Sequence, residues 1–79
     1  METITLDSLK PGDKAIIRGF NGIGVEGSHL MELGLLVGTP VKLIKFAPLG
    51  DPLEICFRGY HLSFRCSVAK SIFVEKING

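Results

Sequence analysis

In Leu53-Glu54-Ile55-Cys56-Phe57-Arg58-Gly59-Tyr60-His61-Leu62-Ser63-Phe64-Arg65, apolar and polar side chains alternate on either side of one dipeptide. Leu53, Ile55 and Phe57 fall on one face and Glu54, Cys56 and Arg58 on the other. Tyr60, Leu62 and Phe64 repeat the pattern against His61, Ser63 and Arg65. A period of two is the mark of a half-buried strand. Arg58-Gly59 has the length and the glycine of a two-residue hairpin turn, since Gly59 can adopt positive φ. The segment predicts an antiparallel hairpin in which Phe57 pairs with Tyr60 and Cys56 stands opposite His61.

Outward from this hairpin, ten glycines and four prolines divide the chain into short apolar runs. Residues 15–20, 41–47 and 72–76 are rich in Ile, Val, Phe and Leu and read as further strands. Ala47-Pro48-Leu49-Gly50-Asp51-Pro52 predicts a protruding loop, because neither proline can donate to a ladder. Ser28 to Leu33 reads as about two helical turns. Ser28 would be the N-cap and Gly34 the left-handed residue beyond the end, with Leu35 folded back over Leu30. Ser67 to Ser71 predicts one more turn. About five short strands with one or two helical turns specify an all-β fold, a small barrel, whose closure removes exposed sheet edges. Its interior is expected to hold Ile17, Val41, Leu43, Ile55, Leu62, Phe64, Ile72 and Val74.

At 79 residues the chain is read as one domain spanning residues 1–79. A domain this small buries only roughly 60% of the surface its unfolded chain exposes. Nine Lys and Arg against eight Asp and Glu give a net charge of +1 with no basic run, which argues against nucleic-acid binding by phosphate neutralisation. The mean hydropathy of +0.34 argues against disorder. No apolar run approaches the roughly 20 residues of a membrane span. Met1-Glu2-Thr3-Ile4-Thr5-Leu6-Asp7 has neither a basic nor an apolar signal region, so a cytoplasmic protein is expected. Two cysteines are too few for a disulfide framework and read as reduced thiols.

Catalytic and cofactor signatures are weak. Gly22-Ile23-Gly24-Val25-Glu26-Gly27 matches G-x-G-x-x-G, but the helix after it is short and the chain cannot build a doubly wound sheet. These glycines read as a loop around tight turns. His29 and His61 have no nucleophile motif beside them, and the carboxylates are dispersed, so the chain reads as a non-enzyme with no cofactor. Cys56 and His61, opposite each other with Cβ atoms about 5 Å apart, are weak metal candidates. Glu54 would supply at most a third ligand, and Cys66 has the wrong parity to join them.

Leu9-Lys10-Pro11-Gly12, then Leu30-Met31-Glu32-Leu33-Gly34-Leu35 with Gly38-Thr39, then the 47–52 loop, Arg58-Gly59-Tyr60 and Ile72-Phe73-Val74 resemble, in order and spacing, the FeoA family over nearly the whole chain. The resemblance implies an SH3-like barrel and a small cytoplasmic accessory of bacterial ferrous iron uptake. Its implied partner is the membrane transporter FeoB, which carries a cytosolic GTP-binding domain. Two places depart from the family pattern: Gly27-Ser28-His29 stands where basic residues are common, and Cys66 where a charged residue usually follows the arginine. A related SH3-like domain closes the DtxR-type repressors, so the alternative is a metal-responsive regulatory module that binds metal or a repressor.

A chain this short and this apolar must leave apolar side chains outside, where a contiguous group marks an interaction site. Met31 is expected to face away from an inward stripe of Leu30 and Leu33. Leu36 should point out beside the inward Leu35, and Leu49 occupies a loop tip. Arg58 and Arg65 would add a charged rim. The same residues could serve a homo-oligomer.

Overall fold

The Arg58-Gly59 turn carries positive φ at both residues, +50° and +81°, so the hairpin closes through a primed turn whose twist matches its strands. The computed structural model describes residues 3–22 and 25–77, and of residues 25–27 the backbone alone. Six strands form one antiparallel sheet: β1 (Thr3–Thr5), β2 (Lys14–Phe20), β3 (Pro40–Phe46), β4 (Leu53–Phe57), β5 (Tyr60–Phe64) and β6 (Ile72–Ile77). Their order is β1-β6-β2-β3-β4-β5, with β1 and β5 at the edges. A 3-10 turn (Leu6–Ser8), α1 (Val25–Glu32) and α2 (Cys66–Ala69) complete the elements of the described residues.

The predicted register of the hairpin is the observed one, with Phe57 paired to Tyr60, Cys56 to His61 and Ile55 to Leu62. Register shifts between Ile17 and Gly19 on β2 and between Leu43 and Lys45 on β3 insert one residue each. Such bulges increase local twist and let a small sheet curl over its own core. The strand missing from the sequence reading is β1. It pairs Thr3 with Glu75, Ile4 with Val74 and Thr5 with Phe73, and three residues are too few to show a period of two.

Ile17, Val41, Leu43, Ile55, Ile72 and Val74 are buried as expected, together with Leu6, Leu9, Leu30, Leu35, Leu53, Phe57 and Ala69. Leu62 and Phe64 are corrections, since both are half-buried against the core and not inside it. They sit on an edge strand with a neighbour on one side only, so the sheet cannot enclose them.

The first helix begins earlier than its sequence suggested. Val25 opens α1, so Ser28 lies within the helix and not at its N-cap, and the expected glycine loop extends no further than residue 24. Of that loop, Ile23 and Gly24 lie outside the described residues. The other end matches. Gly34 takes φ +102°, its N–H donates to the Met31 carbonyl at 3.0 Å, and the Leu35 N–H donates to the Leu30 carbonyl at 3.1 Å. This paired closure is a Schellman motif. It also explains why Leu33 does not join Leu30 inside: fully buried Leu35 fills the space over Leu30, and Leu33 is left 46% exposed.

Candidate docking surface

The residues after α1 are held so that Leu35 and Thr39 turn inward and the residues between them turn outward. Buried Thr39 fixes the geometry: its Oγ1 accepts the Leu36 N–H at 3.1 Å and lies 3.4 Å from the Gly34 carbonyl, to which it donates. The Gly38 N–H reaches the Ile17 carbonyl at 2.7 Å, and the Ile17 N–H reaches the Thr39 carbonyl at 3.0 Å. Anchored to β2 in this way, the segment buries Leu35 and presents Leu36 (47% exposed) and Val37 (60% exposed).

Arg58 is exposed at the hairpin turn and lies over the end of α1, where its Nη1 would be 3.6 Å from a Cβ at Gly34. A cation there complements the free carbonyls of a helix C-terminus. Tyr60 is largely exposed beside Phe57, with ring centroids 6.2 Å apart. Leu33 and Tyr60 therefore lie together, with Arg58 over Gly34 beside them, and exposed Leu36 and Val37 follow Gly34 in the chain. Met31, expected here and pointing outward, is half-buried.

Leu49 is almost wholly exposed at the tip of the β3–β4 loop. The loop is closed by an Ala47 N–H bond to the Pro52 carbonyl at 2.8 Å and tied to the start of α2. There the Cys66 N–H donates to Asp51 Oδ1 at 2.8 Å, and Cys66 Sγ donates to the Gly50 carbonyl at 3.2 Å. Burial, reinforced by the neighbouring Asp51 charge, pushes the Cys66 thiol above its usual pKa, so it stays a protonated donor. Arg65 is exposed at the residue before α2.

The expected contact residues thus fall into two groups. Leu36 and Arg58 lie near the hairpin turn, and Leu49 and Arg65 lie at the far end of β5. A five-residue strand separates them by about 13 Å. Leu33, Val37 and Tyr60 were missed because their exposure follows from the Schellman closure and the edge position of β5, neither of which periodicity reveals.

The weak metal pair has the register expected of it, and Glu54 joins it through His61. Cys56 and His61 are opposite in register, and His61 Nδ1 bonds Glu54 Oε2 at 2.8 Å on the outer face. Among the described residues no three His, Cys, Asp or Glu side chains are grouped as a metal site. No described helix is long and apolar enough to cross a membrane.

Residues 4–76 match the FeoA domain model. The chain is 34% identical over 73 residues to a protein of Porphyromonas gingivalis described as an Fe(2+) transport protein A/Fe(2+) transporter FeoB fusion protein. That match takes in 92% of this chain but only 9% of the relative's length. Among solved structures, the FeoA protein of Chlorobium tepidum superposes with a TM-score of 0.89 at 37% identity, covering 96% of this chain and 72% of that one. Stenotrophomonas maltophilia FeoA, solved with zinc and described as a prokaryotic SH3 domain protein, gives a TM-score of 0.78 at 25% identity, covering 91% and 89%. The matched length, the blocks that resemble the family and the superposition of the fold agree, and the chain belongs to the FeoA family.

Proposed function

We propose that this protein is a non-catalytic accessory of ferrous iron uptake that binds FeoB on its cytoplasmic side and modulates transport. The observation that carries the reading is the relative in which a segment similar to this chain and FeoB are one polypeptide, an arrangement that holds two partners at high effective concentration. The Stenotrophomonas maltophilia relative, described as a candidate ferrous iron transport activating factor, supports the same role.

Contact would be made at both ends of the β4–β5 hairpin. Leu36 and Arg58, extended by Leu33, Val37 and Tyr60, form one patch, and Leu49 with Arg65 forms the other. Met31 contributes through its half-buried, adaptable side chain. Apolar side chains supply the affinity and the arginines set orientation and encounter rate. Deleting the chain from a cell that relies on FeoB should slow uptake of radiolabelled iron(II), and re-expression should restore it. Unchanged uptake after deletion would contradict the reading.

A further inference from the structure

The two edges of the sheet are built differently. Among the described residues β1 ends the sheet with three residues, whereas β5 presents five, Tyr60-His61-Leu62-Ser63-Phe64, with no proline, glycine, Lys, Arg or acidic side chain and no break in its register with β4. Exposed edges are ordinarily protected by such residues or by bulges, because unpaired backbone groups recruit another strand. The two-residue turn makes Phe57–Tyr60 a hydrogen-bonded pair, and pairs alternate along an antiparallel ladder. The N–H and C=O groups of His61 and Ser63 consequently point away from β4. Both residues are exposed, and among the described residues neither has a backbone partner beyond the sheet.

A groove runs beside this edge, between β5 and α1. One part, about 560 Å³, lies against Leu30, Phe64 and Val68, and the other, about 380 Å³, against Leu33 and Tyr60. Leu62 lines both. The rims are charged unequally, with Arg65 at the Phe64 end and both Glu32 and Arg58 at the Tyr60 end.

We propose that the free edge of β5 accepts an extended segment of a partner protein as an additional antiparallel strand. The segment's alternate apolar side chains enter the groove beside Tyr60, Leu62 and Phe64, and its polar ones lie outward beside His61 and Ser63. Antiparallel pairing sets the segment's N-terminal end beside Arg65 and its C-terminal end beside Glu32. The recognised segment is therefore acidic at its start. A second copy of this chain fits less well: antiparallel self-pairing centred on Leu62 would set Arg65 of each copy opposite Gly59 of the other, one residue from its Arg58, and like charges that close repel. The inference goes beyond the FeoB reading. It shares Leu33 and Tyr60 with that reading as groove walls and Arg65 as a rim charge, but its test contains no FeoB, so either can fail alone.

The probe is an acetylated, amidated heptapeptide alternating valine and threonine between an N-terminal glutamate and a C-terminal lysine. It is titrated into the ¹⁵N-labelled full chain. Saturable shifts should centre on the His61 and Ser63 amides, with their hydrogen exchange slowed roughly tenfold. Swapping the terminal charges should weaken binding about fivefold. Ser63→Pro removes one edge N–H and should abolish binding, and a peptide N-methylated at the amides facing β5 should fail to bind even if that variant does not fold. The proposal is overturned by shifts confined to other residues, by no shift at all, by equal binding of the charge-swapped peptide, or by edge protection that rises with protein concentration alone, which would assign the edge to a second copy.

Discussion

Cys66 Sγ donates to the carbonyl of Gly50 across 3.2 Å, so the residue that opens α2 also fastens the loop that presents Leu49. Burial first, and the neighbouring Asp51 carboxylate after it, hold the thiol pKa above its ordinary value, so the donor keeps its proton.

Because the native thiol holds its proton to higher pH than the unfolded one, its contribution is complete below the unfolded pKa and lost as pH rises through the folded value. Urea midpoints should therefore fall more steeply above about pH 9 in the wild type than in Cys66→Ser, whose hydroxyl keeps the bond without ionising. Parallel slopes for the two proteins would remove Cys66 from the loop's energetics.

Asp13 behaves in the opposite sense. Its Oδ2 accepts the Lys10 N–H at 2.9 Å and lies 3.5 Å from Lys76 Nζ, and the backbone bond above all holds its carboxyl below 3.8. A depressed acid stabilises the fold above its unfolded pKa and ceases to do so as pH falls through the folded value. Asp13→Asn should flatten the acid limb of the stability profile below about pH 4, measured by thermal unfolding from pH 2 to 7.

Core substitutions should separate the barrel interior from its edge. Leu43 is fully buried, and Leu43→Ala should cost on the order of 2–5 kcal/mol in urea unfolding. Half-buried Leu62, on the edge strand, loses fewer contacts, and Leu62→Ala should cost about 1–2 kcal/mol. Equal costs would place Leu62 in the core after all.

Folding should be independent of metal. Chelator should leave the melting temperature unchanged, and Cys56→Ser combined with His61→Ala should melt within a few degrees of wild type, since His61 is already paired with Glu54 at an exposed site. A large drop with chelator would restore Cys56 and His61 as ligands.

The hairpin was legible because Leu53 to Phe64 combines a strict period of two with a turn that only a glycine-containing dipeptide permits. The end of α1 was legible for a similar reason, since Gly34 is followed by a leucine that has to fold back. What the sequence could not reveal depended on neighbours distant in the chain. β1 exists because β6 pairs with it, Leu62 and Phe64 are half-buried because β5 has no strand beyond it, and His61 turns to Glu54 because the register brings them together. The docking residues show the same limit. Exposure of Leu36 and Leu49 followed from local turn chemistry, but their separation by the length of β5 is a property of the sheet.

The most direct test of the account is binding of the purified chain to full-length FeoB in lipid nanodiscs, measured by biolayer interferometry for wild type, Leu36→Glu and Leu49→Glu. Both substitutions are at exposed sites and should preserve the melting temperature while each weakening affinity roughly tenfold, a loss of about 1.4 kcal/mol. Wild-type affinity in both folded variants, or no binding by the wild type itself, would contradict a FeoB-docking role for this surface.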